Sequence, residues 1–311
     1  WLTWKLAGCP AGATTDRGDV SGTGYWSPAE DAYRLDLLEL AFGRAYDVPR
    51  VALPSEIVGE TAAGISLAPG TGDNMGAALG VGARPGDVVV SLGTSGTAFA
   101  VSTTPTADPS GEVAGFADAT GRFLPLVCTL NAARVLTAAA TMIGTDLDGV
   151  TRMAREASPG SGGLVLLPYL DGERTPNLPE ATGSLIGMTR ESMTPANLAR
   201  AAIEGMLCGL ADAVDALRAQ GVIPERIVLV GGAAANPAVQ DVATTVFDLP
   251  LVIPPPGEYV ADGAARQAAW AVLGGSEPPE WTLAGQVVRD PQPRPGVREA
   301  YAAARRQVHG R

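Results

Sequence analysis

Residues 88–102 read VVVSLGTSGTAFAVS, and this stretch decides the fold class. The apolar, β-branched run at residues 88–92 predicts a strand, and residues 97–102 predict a second one. The tetrapeptide GTSG at residues 93–96 predicts the turn of a hairpin between them. Its small residues let backbone N–H groups approach an anion, and its two hydroxyls add donors. An ordinary β-turn has the same composition, so the tetrapeptide alone leaves both interpretations open.

The elements predicted beyond this hairpin are those of an α/β domain. Further strands are predicted at residues 123–129, 164–169, 226–230 and 251–254, and helices at residues 131–143, 147–157, 194–220, 237–247, 262–273 and 297–308. Thr194, Pro195 and Gly221 are placed to cap the longest helix, and the last helix is expected to be a charged surface helix. Three strands thus precede the first helix, which argues against a plain Rossmann fold. A hairpin whose turn meets phosphate, followed by alternating helices and strands, is what an actin-like ATPase domain requires.

The residues before the hairpin differ from the rest in their sequence pattern. They contain polar, turn-rich stretches and one helical pattern at residues 34–42. The stretch GTGDNMG at residues 70–76 predicts a turn that runs into a short helix. A Pro-Gly break between apolar segments indicates a domain boundary, with one domain at residues 1–84 and another at residues 85–311.

The composition excludes several classes of protein. Among 311 residues there are 22 Lys and Arg against 33 Asp and Glu, a net charge of −11. Such an acidic chain repels phosphate backbones and anionic lipid, so neither nucleic acid nor membrane is an expected partner. No run of about 20 strongly apolar residues predicts a membrane span, and the chain is expected to be soluble and cytoplasmic.

Cysteine and histidine usage excludes further kinds of site. Cys9, Cys128 and Cys208 are far apart and odd in number, which fits a reducing compartment and predicts neither a disulfide framework nor a four-cysteine zinc site. The one histidine, His309, stands two residues from the end and is expected to be a solvated tail residue. Most histidine-dependent triads and zinc sites are therefore excluded, and no metal-ligating residue is assigned.

A second glycine-rich turn, Gly231-Gly232-Ala233, follows the strand predicted at residues 226–230. Glycines permit close backbone approach, and Asn236 can cap the helix that comes next. Such a strand-turn-helix often receives a nucleotide, although on its own a tight connection is the better explanation. Neither glycine turn matches GxxxxGK[ST] or GxGxxG, so neither a P-loop nor a dinucleotide fold is supported.

Two further clusters carry ionisable side chains. Asp73, within the GTGDNMG stretch at residues 70–76, can act as a general base for a hydroxyl while Asn74 holds the same substrate, or it can simply cap the next helix. The run LPYLDGERTP at residues 167–176 contains Glu173 next to Arg174, a pair expected to pin its own loop. Taken singly, both clusters favour the structural interpretation.

In this order along the chain, the motifs resemble those of the FGGY carbohydrate kinases, and within that family those of the pentulose kinases that act on D-xylulose. The matching stretches are TD at residues 15–16, GYW at 24–26, GDN at 72–74, SLGTSG at 91–96, LPYLDGERTP at 167–176 and VGGA at 230–233. The resemblance spans residues 1–273, and the SLGTSG run together with the LPYL-GERTP run makes it specific.

The resemblance implies two actin-like (ribonuclease H-like) domains, the first binding the sugar and the second the nucleotide, with a complete second domain and a partial first domain in this chain. It implies ATP and Mg²⁺ as cofactors and D-xylulose as the sugar. Asp73 would take the proton from O5 of D-xylulose as that oxygen attacks the γ-phosphorus, and Asn74 would help bind the sugar. Phosphates would contact Gly93, Thr94 and Ser95, and adenosine would lie beside Gly231, Gly232 and Asn236. The alternatives are another FGGY substrate (ribulose, gluconate or glycerol) and a non-enzymatic actin-like ATP-binding module.

Some positions depart from the family pattern. The first phosphate loop of the family, Asp-x-Gly-Thr, has no counterpart, and the opening WLTWKL is typical of the middle of a helix. We therefore expect the chain to be a fragment that is inactive or nearly so alone. Thr71 and Met75 stand where many relatives have Gly and Ala, and Asn177 stands where His is common.

The opening residues also bear on self-association. Trp1, Trp4 and Leu6 are expected to pack against sequence that this chain does not contain. Such packing would leave an apolar patch on the chain alone, which keeps a homodimer open as an assembly state.

Overall fold

The computed structural model describes residues 1–281 and 283–310 and divides the chain into two compact units. Unit 1 comprises Trp1–Pro85, Ala100–Leu126 and Gly257–Leu283, and unit 2 comprises Gly86–Phe99, Val127–Pro256 and Ala284–Arg311. The first change of unit, after Pro85, lies one residue from the expected domain boundary. The assignment of residues 1–84 to a sugar-binding domain and of residues 85–311 to a nucleotide-binding domain stays a prediction.

Helices and strands are numbered in chain order through the described residues. The α-helices are α1 (Leu2–Leu6), α2 (Arg17–Ser21), α3 (Leu35–Phe42), α4 (Asp73–Gly80), α5 (Ala133–Ile143), α6 (Leu147–Glu156), α7 (Pro195–Ala219), α8 (Pro237–Val246), α9 (Tyr259–Leu273) and α10 (Pro295–His309). The strands are β1 (Thr14–Thr15), β2 (Trp26–Ser27), β3 (Ala32–Tyr33), β4 (Arg50–Val51), β5 (Gly59–Glu60), β6 (Ser66–Leu67), β7 (Asp87–Leu92), β8 (Gly96–Ala100), β9 (Ala114–Ala117), β10 (Phe123–Thr129), β11 (Val165–Leu167), β12 (Ser184–Ile186), β13 (Arg226–Val230), β14 (Leu251–Ile253) and β15 (Val287–Arg289). Short 3₁₀-helices lie at Ser161–Gly163 and Gly232–Ala235.

In unit 1, α4 and α9 pack with their backbones in direct contact. A Cβ atom built on Gly263 would overlap the carbonyl group of Gly76, lying 2.6 Å from its carbon. Only glycine allows so close an approach, because any side chain would hold the helices apart. Buried Arg266 of α9 also donates from Nη1 to Leu79 O at 2.8 Å, in the last turn of α4. Since α4 begins at Asp73, these contacts position the helix that carries this carboxylate.

A second core of unit 1 joins distant parts of the sequence. Val20, Trp26 and Ala117 are buried together, and Tyr33 and Val51 pack half-buried against them. Ala117 ends β9, which pairs antiparallel with the first half of β10. The segment at residues 100–126 therefore belongs with the N-terminal residues, although a prediction from contiguous sequence places it in the second domain.

Unit 2 is built on a sheet in which β7 and β13 are parallel neighbours. The strand order in this unit is β15-β14-β13-β7-β8-β10, with β14 parallel to β13 and β15 antiparallel at the edge. The first half of β10 belongs to unit 1, where it pairs with β9. Val88, Val89 and Val90 have no exposed surface, and because successive side chains of a strand point to opposite faces, β7 is covered on both. Val230 is paired with Ser91, so β7 and β13 end at the same edge of the sheet.

The longest helix, α7, is confirmed with its predicted caps. Thr194 is the N-cap and its Oγ1 accepts from Asn197 N at 3.2 Å, while Pro195 occupies the first helical position. Gly221 follows the C-cap with φ of +88°, a conformation that suits glycine. Because α5, α6, α8 and β11 all contact it, α7 is buried on several sides.

From residue 85 onwards, three strands are not predicted from the sequence, β9, β12 and β15, because they have only three or four residues each and no long apolar run. Four strands of this part of the chain, β7 to β10, therefore precede α5, and the expectation of three is wrong. Two helices also begin earlier than expected. α4 begins at Asp73, within the stretch expected to be a turn, and α9 begins at Tyr259, three residues before the expected start.

α10 is amphipathic rather than merely a charged surface helix. Val297, Tyr301 and Ala304 are buried, and Tyr301 Oη lies 3.2 Å from Tyr169 Oη. His309, in the last turn, stacks against Tyr169 with ring centroids 5.3 Å apart. The expectation that His309 is a solvated tail residue is wrong, because α10 packs against Tyr169 and the rest of unit 2.

α1 leaves apolar side chains in contact with solvent. Trp1 is 82% exposed, Leu2 65% and Leu6 46%, whereas Trp4 Nε1 donates to Pro10 O at 2.8 Å. That these residues pack against further sequence stays a prediction.

The three cysteines are free thiols.

Through residues 1–281 and 283–310, none of the helices combines the length and the apolar character needed to cross a lipid bilayer.

We expect Gly263→Ala to destabilise the protein by about 3 kcal/mol, because the new methyl meets main-chain atoms of Gly76 that cannot rotate away. The matched control is Gly296→Ala in α10, where nothing lies within 4 Å of the new Cβ and alanine favours the helix by up to about 1 kcal/mol. Thermal unfolding followed by circular dichroism measures both. An unchanged midpoint for Gly263→Ala would contradict the close packing of α4 and α9.

Candidate nucleotide and sugar sites

The two glycine turns lie side by side in unit 2. Gly231 has φ of +93°, and a Cβ built on it would lie 2.7 Å from the carbonyl carbon of Leu92. Two features of this position therefore require glycine: its positive φ and its close contact with the neighbouring strand. Sequence reasoning finds each turn separately, and the parallel pairing of β7 with β13 brings them together.

An open pocket of about 410 Å³ lies against both turns. The turns contribute Gly93, Thr94, Gly232 and Ala233 to its lining. The other lining residues are Leu92, Ala133, Leu136, Leu147 and Asn236. A mainly apolar lining with a few polar groups and a volume in this range is typical of small-molecule sites.

The first turn is anchored at its base and open at its tip. Gly93 O accepts from Ala133 N at 2.9 Å, which fastens the turn to the start of α5. Gly96 is buried, and a Cβ on it would lie 2.5 Å from Thr129 Oγ1. Thr94 and Ser95 are exposed, and Thr94 lines the pocket. An anion can therefore reach the main chain and both hydroxyls at the tip, as a phosphate-binding turn requires.

Asn236 lines the pocket, but its side chain is engaged by the fold. Its Oδ1 accepts from Ala238 N at 2.9 Å and Val239 N at 3.3 Å, which is the expected N-cap of α8. Its Nδ2 donates to Thr151 Oγ1 at 2.7 Å. Asn236 thus borders the pocket through its position, and its polar atoms hold the surrounding helices.

The LPYLDGERTP run is pinned beneath the start of α5. Glu173 is 3% exposed, and its carboxylate accepts from Leu130 N at 2.7 Å, Arg174 N at 2.8 Å and Asn131 Nδ2 at 2.9 Å. Asn131 Nδ2 also donates to Gly172 O at 2.7 Å. The structural interpretation of Glu173 is confirmed, although its partners are the main chain and Asn131 rather than the Arg174 side chain.

Asp73 and Asn74 belong to unit 1, at the start of α4. Gly72 is the N-cap, so the alternative in which Asp73 caps the helix is wrong. Asp73 is exposed, and its Oδ1 accepts from Asn74 N at 2.7 Å and Asn74 Nδ2 at 2.9 Å. An oriented carboxylate that a hydroxyl can reach is what general-base chemistry needs.

A second carboxylate of unit 1, Asp16, is buried beside the loop that leads to Asp73. Its Oδ1 accepts from Gly18 N at 2.9 Å and Asp19 N at 3.0 Å and so caps α2, while a Cβ on Gly70 would lie 3.9 Å from its Oδ2. Burial raises the pKa of Asp16 to about 6; the charge of Asp19 adds to this, and the backbone hydrogen bonds oppose it. Sequence reasoning quotes Asp16 only within a motif, because a capping pattern carries no sign of burial.

Through residues 1–281 and 283–310, the acidic residues do not form a metal cage of their own. Within the described ranges, no three His, Cys, Asp or Glu side chains are grouped closely enough to hold one metal ion. Mg²⁺ at nucleotide sites is usually held by substrate phosphates with one or two carboxylates and water. The donors of this chain therefore fit Mg²⁺ only as a companion of nucleotide phosphates.

The sequence profile described as "FGGY family of carbohydrate kinases, C-terminal domain" matches residues 88–272. This range contains both glycine turns and the whole lining of the pocket. The chain belongs to the FGGY family of carbohydrate kinases. FGGY kinases have the actin-like ATPase fold, so the α/β actin-like prediction is confirmed.

Relatives of this FGGY chain agree with that assignment. It is 44% identical over 283 residues to the xylulose kinase of Streptomyces coelicolor, covering 88% of this chain and 56% of the relative. The solved xylulose kinase of Bifidobacterium adolescentis has a TM-score of 0.88 and 41% identity, covering 98% of this chain and 67% of the other. The glycerol kinase of Plasmodium falciparum, solved with ADP, is 14% identical with a TM-score of 0.84 and supports the fold alone. The chain spans about half the length of the curated relatives it matches.

Sequence reasoning misses the apolar walls of the pocket. Leu136 and Ala133 share a face of α5, and Leu147 begins α6. Apolar positions of a helix have the same spacing whether they face a core or a ligand, so periodicity alone cannot single them out.

Asp16→Asn tests the buried carboxylate, since asparagine can cap α2 equally well without the charge. The pKa of Asp16 is raised from 3.8 to about 6, so its contribution to stability is fully present below pH 3.8 and is lost as the pH rises through 6. The loss amounts to about 3 kcal/mol at 1.36 kcal/mol per pKa unit. We expect thermal midpoints of Asp16→Asn to lack this decline between about pH 4 and pH 7 and to exceed those of the wild type near neutrality. Parallel pH profiles for the two proteins would contradict it.

Proposed function

We propose that this chain carries the nucleotide-binding domain and the adjoining part of the sugar-binding domain of an ATP-dependent pentulose kinase, which converts D-xylulose to D-xylulose 5-phosphate. The supporting observation is a pocket at two neighbouring glycine turns in a chain that is 44% identical over 283 residues to a xylulose kinase. D-Xylulose is the sugar because two Streptomyces xylulose kinases share 44% and 42% identity with most of this chain.

In the proposed reaction, ATP occupies the pocket of unit 2. Its phosphates contact Gly93, Thr94 and Ser95, and its adenosine lies beside Gly231, Gly232 and Asn236. Mg²⁺ would be held through the phosphates of the nucleotide and would supply neutralisation of the charge that develops during transfer. Main-chain N–H groups and two hydroxyls do the rest of the phosphate binding, so no histidine is needed.

Asp73 is the proposed general base. Its carboxylate accepts the proton of O5 of D-xylulose while O5 forms a bond to the γ-phosphorus. The bond between that phosphorus and the β–γ bridging oxygen breaks, and ADP leaves. Asn74 holds the sugar, and its hydrogen bonds to Asp73 Oδ1 at 2.7 and 2.9 Å orient the carboxylate.

Other sugars form the second candidate. The gluconokinase of Bacillus subtilis is 30% identical over 239 residues, and the glycerol kinase of Alkalilimnicola ehrlichii is 34% identical over 134 residues. Both values are lower or cover less of the chain than those of the xylulose kinases. A non-enzymatic ATP-binding module is the candidate from another class, and a catalytic requirement for Asp73 distinguishes the two.

The deciding experiment measures ADP release from Mg-ATP by the full-length natural polypeptide with D-xylulose, ribulose, gluconate and glycerol. We expect a response to D-xylulose that Asp73→Asn lowers by about 10²- to 10⁴-fold without weakening ATP binding, because asparagine keeps the shape and removes the base. The matched control is Asp36→Asn, which removes an exposed first-turn carboxylate from α3, another eight-residue helix of unit 1. It should leave turnover unchanged.

Each outcome assigns a function. A response to a different sugar retains the mechanism and replaces the substrate. No response to any sugar, with ATP still bound, favours the non-enzymatic module. Full activity of Asp73→Asn removes the carboxylate from the mechanism.

Residues 1–311 alone are expected to release little or no sugar-dependent ADP, because their sequence contains no Asp-x-Gly-Thr phosphate loop. The same assay on the purified 311-residue chain measures this, with circular dichroism as the check that it is folded. Robust sugar-dependent turnover by this chain would show that the missing motif is dispensable.

A further inference from the structure

Thr151 lies outside the pocket but bonds to two of the elements that line it. Its Oγ1 donates to Leu147 O at 2.7 Å and accepts from Asn236 Nδ2 at 2.7 Å. Leu147 is the first residue of α6 and Asn236 is the N-cap of α8, and both line the pocket. One hydroxyl thus uses its donor and an acceptor lone pair to join two walls of the site.

α6 packs against α7, α5 and α8, and polar contacts add to this packing near its first turn. Leu147 is 46% exposed, and the buried side of the helix consists of Gly149, Val150 and Ala154. Small side chains bury little apolar area, so polar contacts carry more of the positioning. One such contact is the N-cap within α6 itself, and the bond from Thr151 to Asn236 is one that reaches a different helix.

A second contact between α6 and α8 lies about one turn further from the pocket. Arg155 Nε is 2.9 Å from Asp241 Oδ2, with the two side chains 56% and 37% exposed. Exposed ion pairs contribute little, because solvent screens them and ordering the side chains costs entropy. The bond between Thr151 and Asn236 is half-buried and joins the second turn of α6 to the N-cap of α8, which lines the pocket.

We propose that Thr151 is a positioning residue of the nucleotide site: its hydroxyl sets the separation between Leu147 and Asn236, and with it the width of the pocket. This inference rests on the proposed function, in which the pocket receives adenosine. It concerns nucleotide affinity rather than the transfer step, because the bonds of Thr151 run to the walls of the pocket and not to the phosphate turn at residues 93–95.

Thr151→Val keeps the shape of the side chain and removes the hydroxyl. We expect the KM for ATP and the Kd for ADP to rise about 3- to 10-fold, the equivalent of one lost hydrogen bond, while kcat stays within about twofold. Thr151→Ser retains the hydroxyl and should keep wild-type affinity. Arg155→Met breaks the outer contact between the same two helices and should change neither constant.

A double-mutant cycle separates the hydrogen bond from general damage to α8. Asn236→Ala loses both the cap and the bond, so its Kd for ADP should exceed that of Thr151→Val. Adding Thr151→Val to Asn236→Ala should raise the Kd no further, because the bond is already absent. An additive rise would assign the effect of Thr151→Val to another cause and overturn the inference.

Isothermal titration of the full-length natural polypeptide with ADP keeps this test apart from the kinase proposal. Weaker ADP binding by Thr151→Val supports the inference even where no sugar is phosphorylated. Unchanged Kd and KM overturn it and leave the kinase proposal intact. A loss of equal size in Thr151→Ser or Arg155→Met, or a wild-type protein that binds no adenine nucleotide, also overturns it. If Thr151→Val does not fold, Thr151→Ala removes the same hydroxyl.

Discussion

The parallel pairing of β7 with β13 is the constraint on which unit 2 depends. Val230 stands opposite Ser91, so two turns that are 138 residues apart in sequence, at Gly93 and Gly231, leave the sheet at the same edge. Glycine at position 231 is required because its Cα lies directly against the main chain of Leu92. A side chain there would push the second turn away from the first and alter the pocket. The nucleotide proposal depends on this contact between backbones, because it brings the two turns to one pocket.

In unit 1, the exposed carboxylate of Asp73 lies on the short helix α4, which other parts of the chain must hold in place. Eight residues of α4 would be marginally stable alone, since most helix stability in proteins comes from tertiary packing. The contact of Gly76 with Gly263 and the bond from Arg266 to Leu79 O supply that packing from a segment nearly 200 residues later in the chain. Asp73 can therefore remain open to solvent at the first position, because the rest of the helix is fixed by α9.

Local signals predicted local structure well. The bounds of β10 and β13, the caps of α7 and the cap of α8 by Asn236 follow from apolar runs and capping residues that act within a few positions. Short strands such as β9 were missed because their pairing partners, and not their own residues, make them strands. His309 was misjudged for a related reason. A position two residues from the end says nothing about whether the final helix packs against Tyr169.

By itself, the sequence determined the motifs and their order: two glycine turns behind apolar strands, an Asp-Asn pair in a third glycine-rich stretch, and a capped helix of 25 residues. These depend on residue types and on interactions between near neighbours. The tertiary structure alone decided that the two turns share a pocket, that Asp16 is buried, that Gly72 rather than Asp73 caps α4, and that Thr151 joins Leu147 to Asn236. The shared pocket, the burial of Asp16 and the bond from Thr151 to Asn236 depend on which backbones approach each other across long stretches of chain, and no periodicity within a segment encodes that.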